Sequence, residues 1–199
     1  MQQVFRSTFG RVLTGGLALL ALTAVVVLLA RDPLELLRAL PWLALVVGAC
    51  WALFWRPCVI VDDGGVRIVN PLRTIELPWP SIVAVDTKWS LTLVTAYGEF
   101  TAWAAPAPGA RQTALAARTE TKHLSPRIDG GGGVRPGDLP STLSGGAALH
   151  IRQRWERLRD AGYLEDPRLE HDAAPIRWHV GTVVAAAALM VAAAVALVV

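Results

Sequence analysis

The sequence predicts an α+β membrane protein in which three transmembrane helices accompany an antiparallel β-sheet or partial barrel covered by one amphipathic helix. Three apolar runs, residues 12–30, 39–55 and 180–199, contain no charged residue. At about 1.5 Å of rise per residue, each run approaches the roughly 30 Å hydrocarbon core of a bilayer. Between the second and third runs, short β-branched stretches alternate with turn residues, and a helical pattern follows them.

These patterns divide the chain into seven predicted segments. They are an N-terminal cytoplasmic tail (1–11), a transmembrane helical hairpin (12–55), a β domain (56–105), a flexible linker (106–146), an amphipathic helix that completes the β domain (147–164), a juxtamembrane segment (165–179) and a last transmembrane helix (180–199).

The apolar runs are predicted to be helical, because a helix satisfies its own backbone groups in lipid. The second run carries Pro41 near its start, where a missing N–H costs least. Tryptophan and arginine near span ends are typical of membrane interfaces. We therefore expect five residues to anchor the chain in the bilayer: Trp42, Trp55, Arg56, Arg177 and Trp178.

The first run has an alternative interpretation as a cleaved signal peptide, since Arg6 and Arg11 precede its apolar stretch. However, residues 28–33 read Leu-Leu-Ala-Arg-Asp-Pro, without the small-x-small pattern of a cleavage site, and a second apolar run follows at once. We expect the first run to be retained as an anchor.

Arginine distribution predicts the orientation of the spans. Residues 31–38 connect the first two runs and hold two arginines and two acids, whereas more arginines flank the opposite ends: Arg6, Arg11, Arg56, Arg67, Arg73, Arg168 and Arg177. The positive-inside rule then places the N-terminus and the polar segment in the cytoplasm and the C-terminus outside. Because two arginines flank each side of the first run, the inverted topology remains an alternative. Abundant Ala, Arg and Gly beside few Lys are typical of a GC-rich bacterial genome, so we expect a bacterial inner membrane.

The predicted β domain consists of six short strands. Asp62-Asp63-Gly64-Gly65 is a strong turn signal, Tyr97-Gly98 closes the last hairpin, and Pro78 and Pro80 around Trp79 indicate a kink or a strand edge. The strands are predicted at residues 58–61, 66–69, 74–77, 82–86, 91–96 and 99–103. Such a small sheet buries too little apolar surface to be stable alone.

A helix over residues 147–162 is the predicted cover. Ala148, Ile151, Trp155, Leu158 and Gly162 recur at spacings of three and four and form one apolar stripe. A coiled-coil seam is the rival interpretation, but two heptads are short for one. The Gly- and Pro-rich linker before the helix contains a glycine run at residues 130–133, which lacks the Lys and Ser/Thr of a phosphate-binding loop.

Several motifs in the β domain occur in a specific order: Trp55-Arg56-Pro57, Asp63-Gly64-Gly65-Val66, Asn70-Pro71-Leu72-Arg73, and Leu77-Pro78-Trp79 with Ile82. Together with the order of strands, long connection and helix, they resemble the bacterial PH-domain family of small membrane proteins, which includes the low-molecular-weight protein antigens. The resemblance covers residues 56–105, and residues 151–162 and 177–179 also look like those of three-span members. It implies a PH-like fold and an adaptor role toward lipids, peptides or proteins.

One departure from phosphoinositide-binding PH domains lies in the first hairpin. Those domains place basic residues around it, whereas this hairpin turns on Asp62 and Asp63. Carboxylates there repel phosphorylated headgroups, so inositol-lipid recognition is disfavoured.

No catalytic or metal-binding pattern stands out. Four histidines (His123, His150, His171 and His179) and two cysteines (Cys50 and Cys58) form neither a His-x-x-x-His nor a Cys-x-x-Cys arrangement. We therefore expect no enzyme activity, cofactor or metal. The net charge of +3 comes partly from membrane-flanking arginines, and no basic stripe with interleaved aromatics indicates nucleic-acid binding.

The candidate binding residues are Arg67, Arg73, Trp79 and Lys88. The three basic residues are predicted to form a patch, although ordinary solvated strand faces explain them as well. We expect a protein or peptide partner, membrane-bound or cytoplasmic, to be received by the sheet edge or the groove beside the helix. The alternative is a sensor of anionic lipid or of the membrane surface. The Ala-rich last run also allows self-association.

Overall fold

The computed structural model describes residues 2–109, 138–164 and 172–197. The chain divides into two compact units. The β unit comprises Met1–Arg6, Cys58–Val69 and Thr74–Ile176, and the helical unit comprises Ser7–Pro57, Asn70–Arg73 and Arg177–Val199. Residues 110–137 belong to the predicted flexible linker and include the glycine run and His123, and they lie outside the described residues. Residues 165–171, with Arg168 and His171, lie outside them too.

Helices and strands follow the predicted order, with two additional strands. The helices are α1 (Thr8–Arg31), α2 (Pro33–Cys50, continued by a π-helical turn over Trp51–Trp55), α3 (Leu143–Asp160) and α4 (Val180–Ala196). The strands are β1 (Gln3–Phe5), β2 (Cys58–Val61), β3 (Gly65–Val69), β4 (Arg73–Pro78), β5 (Ile82–Asp86), β6 (Ser90–Thr95), β7 (Gly98–Pro106) and β8 (Ile176–Trp178).

Two helices of the helical unit are long and apolar enough to cross a membrane: Thr8–Arg31 and the continuous stretch Pro33–Trp55. Only 6% and 11% of their most apolar windows are buried, whereas a helix in the core of a soluble protein is mostly buried. The third apolar helix, α4, is shorter. The structure thus contains two candidate spans near the N-terminus and one shorter apolar helix, and does not establish three transmembrane helices.

A sharp turn at Asp32 separates α1 from α2. The Asp32 carboxylate accepts hydrogen bonds from the Leu34 and Glu35 amides at 3.0 and 3.2 Å and caps α2, and Pro33 occupies its first turn. The expectation that Pro41 lies near the start of its helix is therefore wrong. Because the cap sits at Asp32, Pro41 lies inside α2.

α1 and α2 pack closely near one end of the hairpin. A side chain at Gly10 would collide with the Phe54 carbonyl oxygen, so the backbones meet there. The buried Thr14 hydroxyl donates to the Gly10 carbonyl at 2.8 Å and lies 3.4 Å from the Cys50 sulfur. Satisfying this hydroxyl internally suits an apolar environment.

The β unit contains two sheets with the orders β1-β2-β3-β4-β8 and β5-β6-β7. The β1–β2, β2–β3, β3–β4, β5–β6 and β6–β7 pairs are antiparallel. All six predicted strands are present within a few residues of their predicted bounds. The additional strands β1 and β8 are three residues each, and they extend opposite edges of the larger sheet.

α3 covers the sheets as predicted. Ala147, Ala148 and Ile151 are buried in the same core as strand residues such as Ile68 and Leu93. The helix starts at Leu143, earlier than predicted, because the Thr142 hydroxyl caps it by accepting a hydrogen bond from Gly145.

The far end of α3 and the bounds of the linker differ from the prediction. Gly162 lies beyond the end of α3 in the left-handed conformation, with φ of 78°, so it is not part of the helical stripe. The described ends of the predicted linker are ordered too, since Pro106 belongs to β7 and Leu139 and Ser144 are buried.

Candidate functional site

Arg67 faces Glu76 on the neighbouring strand. The two residues are directly opposite in the β3–β4 register, and Arg67 Nε lies 3.3 Å from a Glu76 carboxylate oxygen. This ion pair offsets the positive charge that the sequence pattern assigned to a basic patch. Arg67 is therefore a weak candidate for binding an acidic partner.

Trp79 lies inside the β unit and cannot contact a partner directly. Its side chain is 3% exposed, and its indole N–H donates to the Asp62 carbonyl at 3.1 Å. As a partner-contacting residue, this candidate is wrong. The 3₁₀ turn over Trp79–Ser81 forms the kink that the flanking prolines predicted, and the ring packs in the core.

Lys88 lies beside an exposed tryptophan at one end of the smaller sheet. Its ammonium lies 5.8 Å from the centre of the Trp89 ring, and Trp89 is 81% exposed. The Ala107 amide donates to the Trp89 carbonyl at 2.9 Å and holds the β5–β6 turn beside the end of β7. Trp103, 54% exposed, lies on β7, three residues before the end of the strand. We name Lys88, Trp89 and Trp103 the aromatic end.

The edge of β5 is covered by α3. Arg152 donates to the Val85 carbonyl at 2.9 Å, and the Trp155 indole donates to the Ile82 carbonyl at 2.9 Å. Arg152 also binds Asp138 at 2.8 Å. A strand that paired with β5 would have to displace both side chains, so the groove beside α3 is not an open binding edge.

The turn between β2 and β3 is acidic. The Asp62 carboxylate accepts hydrogen bonds from the Gly64 and Gly65 amides at 3.0 and 3.1 Å, which explains this residue by turn formation. Asp63 forms an ion pair with Arg154 on α3. The turn therefore presents carboxylates and no basic residue of its own.

Arginines stack on tryptophans in the helical unit. The Arg11 guanidinium lies 5.2 Å from the Trp55 ring centre, and that of Arg56 lies 5.6 Å from the Trp51 ring centre. Arg56 also donates to the Thr182 hydroxyl at 2.6 Å, near the start of α4. Trp55 and Arg56, two of the expected anchoring residues, thus belong to one cationic and aromatic cluster.

A second Arg–Trp pair joins the loop before β4 to the segment before α4. Arg73 stacks on Trp178 at 5.7 Å, and the His179 amide donates to the Leu72 carbonyl at 2.8 Å. Trp178 and its neighbour Arg177 are exposed. Arg73, a candidate binding residue, is therefore brought together with expected anchoring residues.

Trp42 does not belong to these clusters. It lies in the middle of the stretch Pro33–Trp55, about 20 Å along the helix axis from Trp55. Sequence reasoning grouped the two residues because it could not place either relative to the helix start.

Within residues 2–109, 138–164 and 172–197, no three His, Cys, Asp or Glu side chains come together as a metal site. His150 on α3 contacts the Phe5 ring, with centroids 6.0 Å apart, and His179 lies 3.1 Å from the Pro71 carbonyl oxygen. Neither histidine lies in an arrangement typical of catalysis.

His150 predicts a pH-dependent stability. Burial, and then the charges of Arg157 and Arg154, lower its pKa from the ordinary 6.5. Because the unfolded chain binds a proton at His150 more readily than the folded chain does, the free energy of unfolding decreases as the pH falls through about 6.5. We expect His150→Gln to reduce the drop in melting temperature between about pH 7.5 and about pH 5.5. An identical drop in both proteins would contradict this role.

One comparison with known proteins identifies a family for part of the β unit. The family model described as a bacterial PH domain matches residues 56–131. This match is consistent with a bacterial PH-domain family. The matched stretch includes β2 to β7, and the family resemblance noted in the sequence is confirmed at this level, whereas the antigen type is not. Neither the curated proteins nor the solved structures provide a match. PH domains are generally non-catalytic binding modules.

Proposed function

We propose that this chain is a membrane-anchored PH-like adaptor, not an enzyme, that binds a protein or peptide partner at the cytoplasmic membrane face. The aromatic end carries this proposal. Trp89 and Trp103 are exposed, whereas Trp79 of the same domain is buried and Trp155 is partly buried and hydrogen-bonded. Exposed tryptophans on a folded domain are typical of the energetic centre of a protein interface.

The acidic turn favours a protein partner over an inositol lipid. Asp62 and Asp63 occupy the hairpin at which phosphoinositide-binding PH domains place basic residues, and Asp63 already pairs with the nearest helix arginine, Arg154. The covered β5 edge further favours docking at the aromatic end over strand addition beside α3.

Strand pairing supports one location for the polar segments. β1, β2 and β8 adjoin the apolar helices in the chain, and all three belong to the larger sheet. Segments of one sheet lie on one side of any membrane that the helices cross. The arginines near these junctions favour the cytoplasmic side by the positive-inside rule.

The test is crosslinking in intact cells, followed by purification of the full chain. Trp89→Ala should reduce the amount of the main crosslinked protein by roughly tenfold, as expected for an interface hot spot. Val83→Ala is the matched control, because Val83 is also exposed but lies on β5, away from the aromatic end. An unchanged adduct pattern for Trp89→Ala and for Trp103→Ala would refute this docking surface.

A second candidate function is sensing of an anionic membrane surface. The Arg73–Trp178 pair favours it, because arginine and tryptophan together suit the headgroup region. In nanodiscs, residues 70–73 should then exchange amide hydrogens more slowly with phosphatidylglycerol than with phosphatidylcholine, and high salt should remove the difference. Equal exchange in both lipids at low salt would exclude this function.

A further inference from the structure

An apolar groove runs between α1 and α2 in the helical unit. Its volume is about 630 Å³, which lies within the roughly 300–1,000 Å³ of small-molecule sites. Small residues of both helices line it, and two tryptophans line one end. The small residues are Gly15, Ala18, Ala44 and Gly48, and the tryptophans are Trp51 and Trp55. The lining is almost entirely apolar, and the groove is open on one side. The recess arises because glycine and alanine leave space between neighbouring helices.

The tryptophan end of this groove is positively charged. The Arg56 guanidinium lies over the Trp51 ring and that of Arg11 over the Trp55 ring, so a positive charge lies beside each tryptophan that lines the groove. A guanidinium over an aromatic ring keeps its charge, and its N–H groups are strong donors to phosphate oxygens. The groove thus combines a long apolar part with one cationic end.

We propose that this groove binds one anionic phospholipid, with an acyl chain along Gly15 and Gly48 and the phosphate beside Arg11 and Arg56. The proposal rests on the membrane placement within the proposed function. The order of apolar and cationic surface along the groove matches the order of acyl chain and phosphate in a phospholipid.

Charge complementarity favours a lipid over a second copy of this chain. A second copy related by an axis normal to the membrane would bring its own Arg11 and Arg56 to the same depth, where like charges oppose association. A phospholipid with an anionic headgroup instead supplies the opposite charge at that depth.

The test uses the full chain in mild detergent with equal amounts of phosphatidylglycerol and phosphatidylcholine of the same acyl chains, and native mass spectrometry counts the bound lipids. The wild-type chain should retain phosphatidylglycerol. Gly15→Leu and Gly48→Leu should each reduce this retention by roughly tenfold, because they fill the groove. Neither change should prevent folding, since a Cβ at either position meets no atom within 4 Å.

Gly16→Leu is the matched control. A Cβ at Gly16 also meets no atom within 4 Å, but Gly16 does not line the groove. This variant should retain phosphatidylglycerol as the wild-type chain does. For the cationic end, Arg11→Gln or Arg56→Gln should each cost about fivefold in retention, and Arg31→Gln, at the other end of α1, should cost nothing measurable.

Three results would overturn the lipid site. One is equal retention by Gly15→Leu, Gly48→Leu and Gly16→Leu. Another is displacement of the lipid by inorganic phosphate alone, which would mean that the arginines bind an anion without help from the groove. The third is a dimer that Gly15→Leu dissociates, which would assign the groove to a second copy. Extraction of the wild-type chain from membranes by alkaline carbonate would instead refute the membrane placement, and with it the proposed function.

Discussion

Replacing Trp79 by alanine is expected to lower the free energy of unfolding of the β unit by about 3–5 kcal/mol, the usual cost of removing a large aromatic side chain from a core. Trp79 is 3% exposed and packs in the main core, and its indole N–H satisfies the Asp62 carbonyl. The substitution both opens a cavity and leaves that carbonyl without this donor. Denaturant unfolding of the full chain in detergent, followed by circular dichroism, measures the loss.

Trp89→Ala provides the matched control, since the same atoms are removed from a side chain that is 81% exposed. Its effect on unfolding should stay within about 0.5 kcal/mol. The two variants therefore separate core packing from partner binding: Trp79→Ala should destabilise the domain, and Trp89→Ala should reduce partner crosslinking in a domain of normal stability. Equal destabilisation by both substitutions would contradict the assigned positions of the two tryptophans.

For Trp79, the local sequence predicts the backbone but not the direction of the side chain. The prolines on both sides correctly predict a break between strands, which the structure contains as a 3₁₀ turn. They do not determine which way the side chain points. That direction depends on contacts with distant residues, including the Asp62 carbonyl seventeen positions earlier. Local pattern and long-range packing are separate pieces of information, and only the first is present in a short stretch of sequence.

Some strands were also predictable from the local sequence, and others were not. β2 and β3 were predictable because a turn signal joins two alternating stretches, and α3 was predictable because its apolar residues recur at helical spacing. β1 and β8 have three residues each, too few for any period to be visible. They are strands because β1 pairs with β2 and β8 lies beside β4, and both partners are distant in sequence.

One feature of the candidate site was accessible from the sequence and was missed. The stretches around Arg67 and Glu76 both alternate, and the turn between them sets their register, so the two side chains could have been placed opposite each other. The groove between α1 and α2 was not accessible in this way. Gly15 and Gly48 line one recess only because of the rotation of each helix about its axis, which helix packing determines.

Gly145→Ala is expected to destabilise the start of α3, although alanine is the better helix former. A Cβ at position 145 would collide with the carbonyl group of Leu139, and a backbone group cannot move away as a flexible side chain can. Leu139 is itself buried, and Thr142 ties this segment to the helix by accepting a hydrogen bond from the Gly145 amide. We expect a loss of about 1–3 kcal/mol in the free energy of unfolding, the usual cost of overpacking.

Gly146→Ala is the control that separates the effect of the steric collision at position 145 from the effect of helix propensity. It makes the same change one residue later in the same helical turn, where the nearest contact of the new Cβ is the Pro140 carbonyl oxygen at 3.1 Å, a contact that a small shift relieves. Both substitutions gain up to about 1 kcal/mol of helix propensity, so the difference between them reports the close approach of Leu139 to α3. If the two variants unfold at the same denaturant concentration, the helix start does not pack against Leu139 as described. If only Gly145→Ala is destabilised, the segment 138–142 is a fixed part of the domain core, and the domain extends to the N-terminal side of the helix that the sequence pattern predicts.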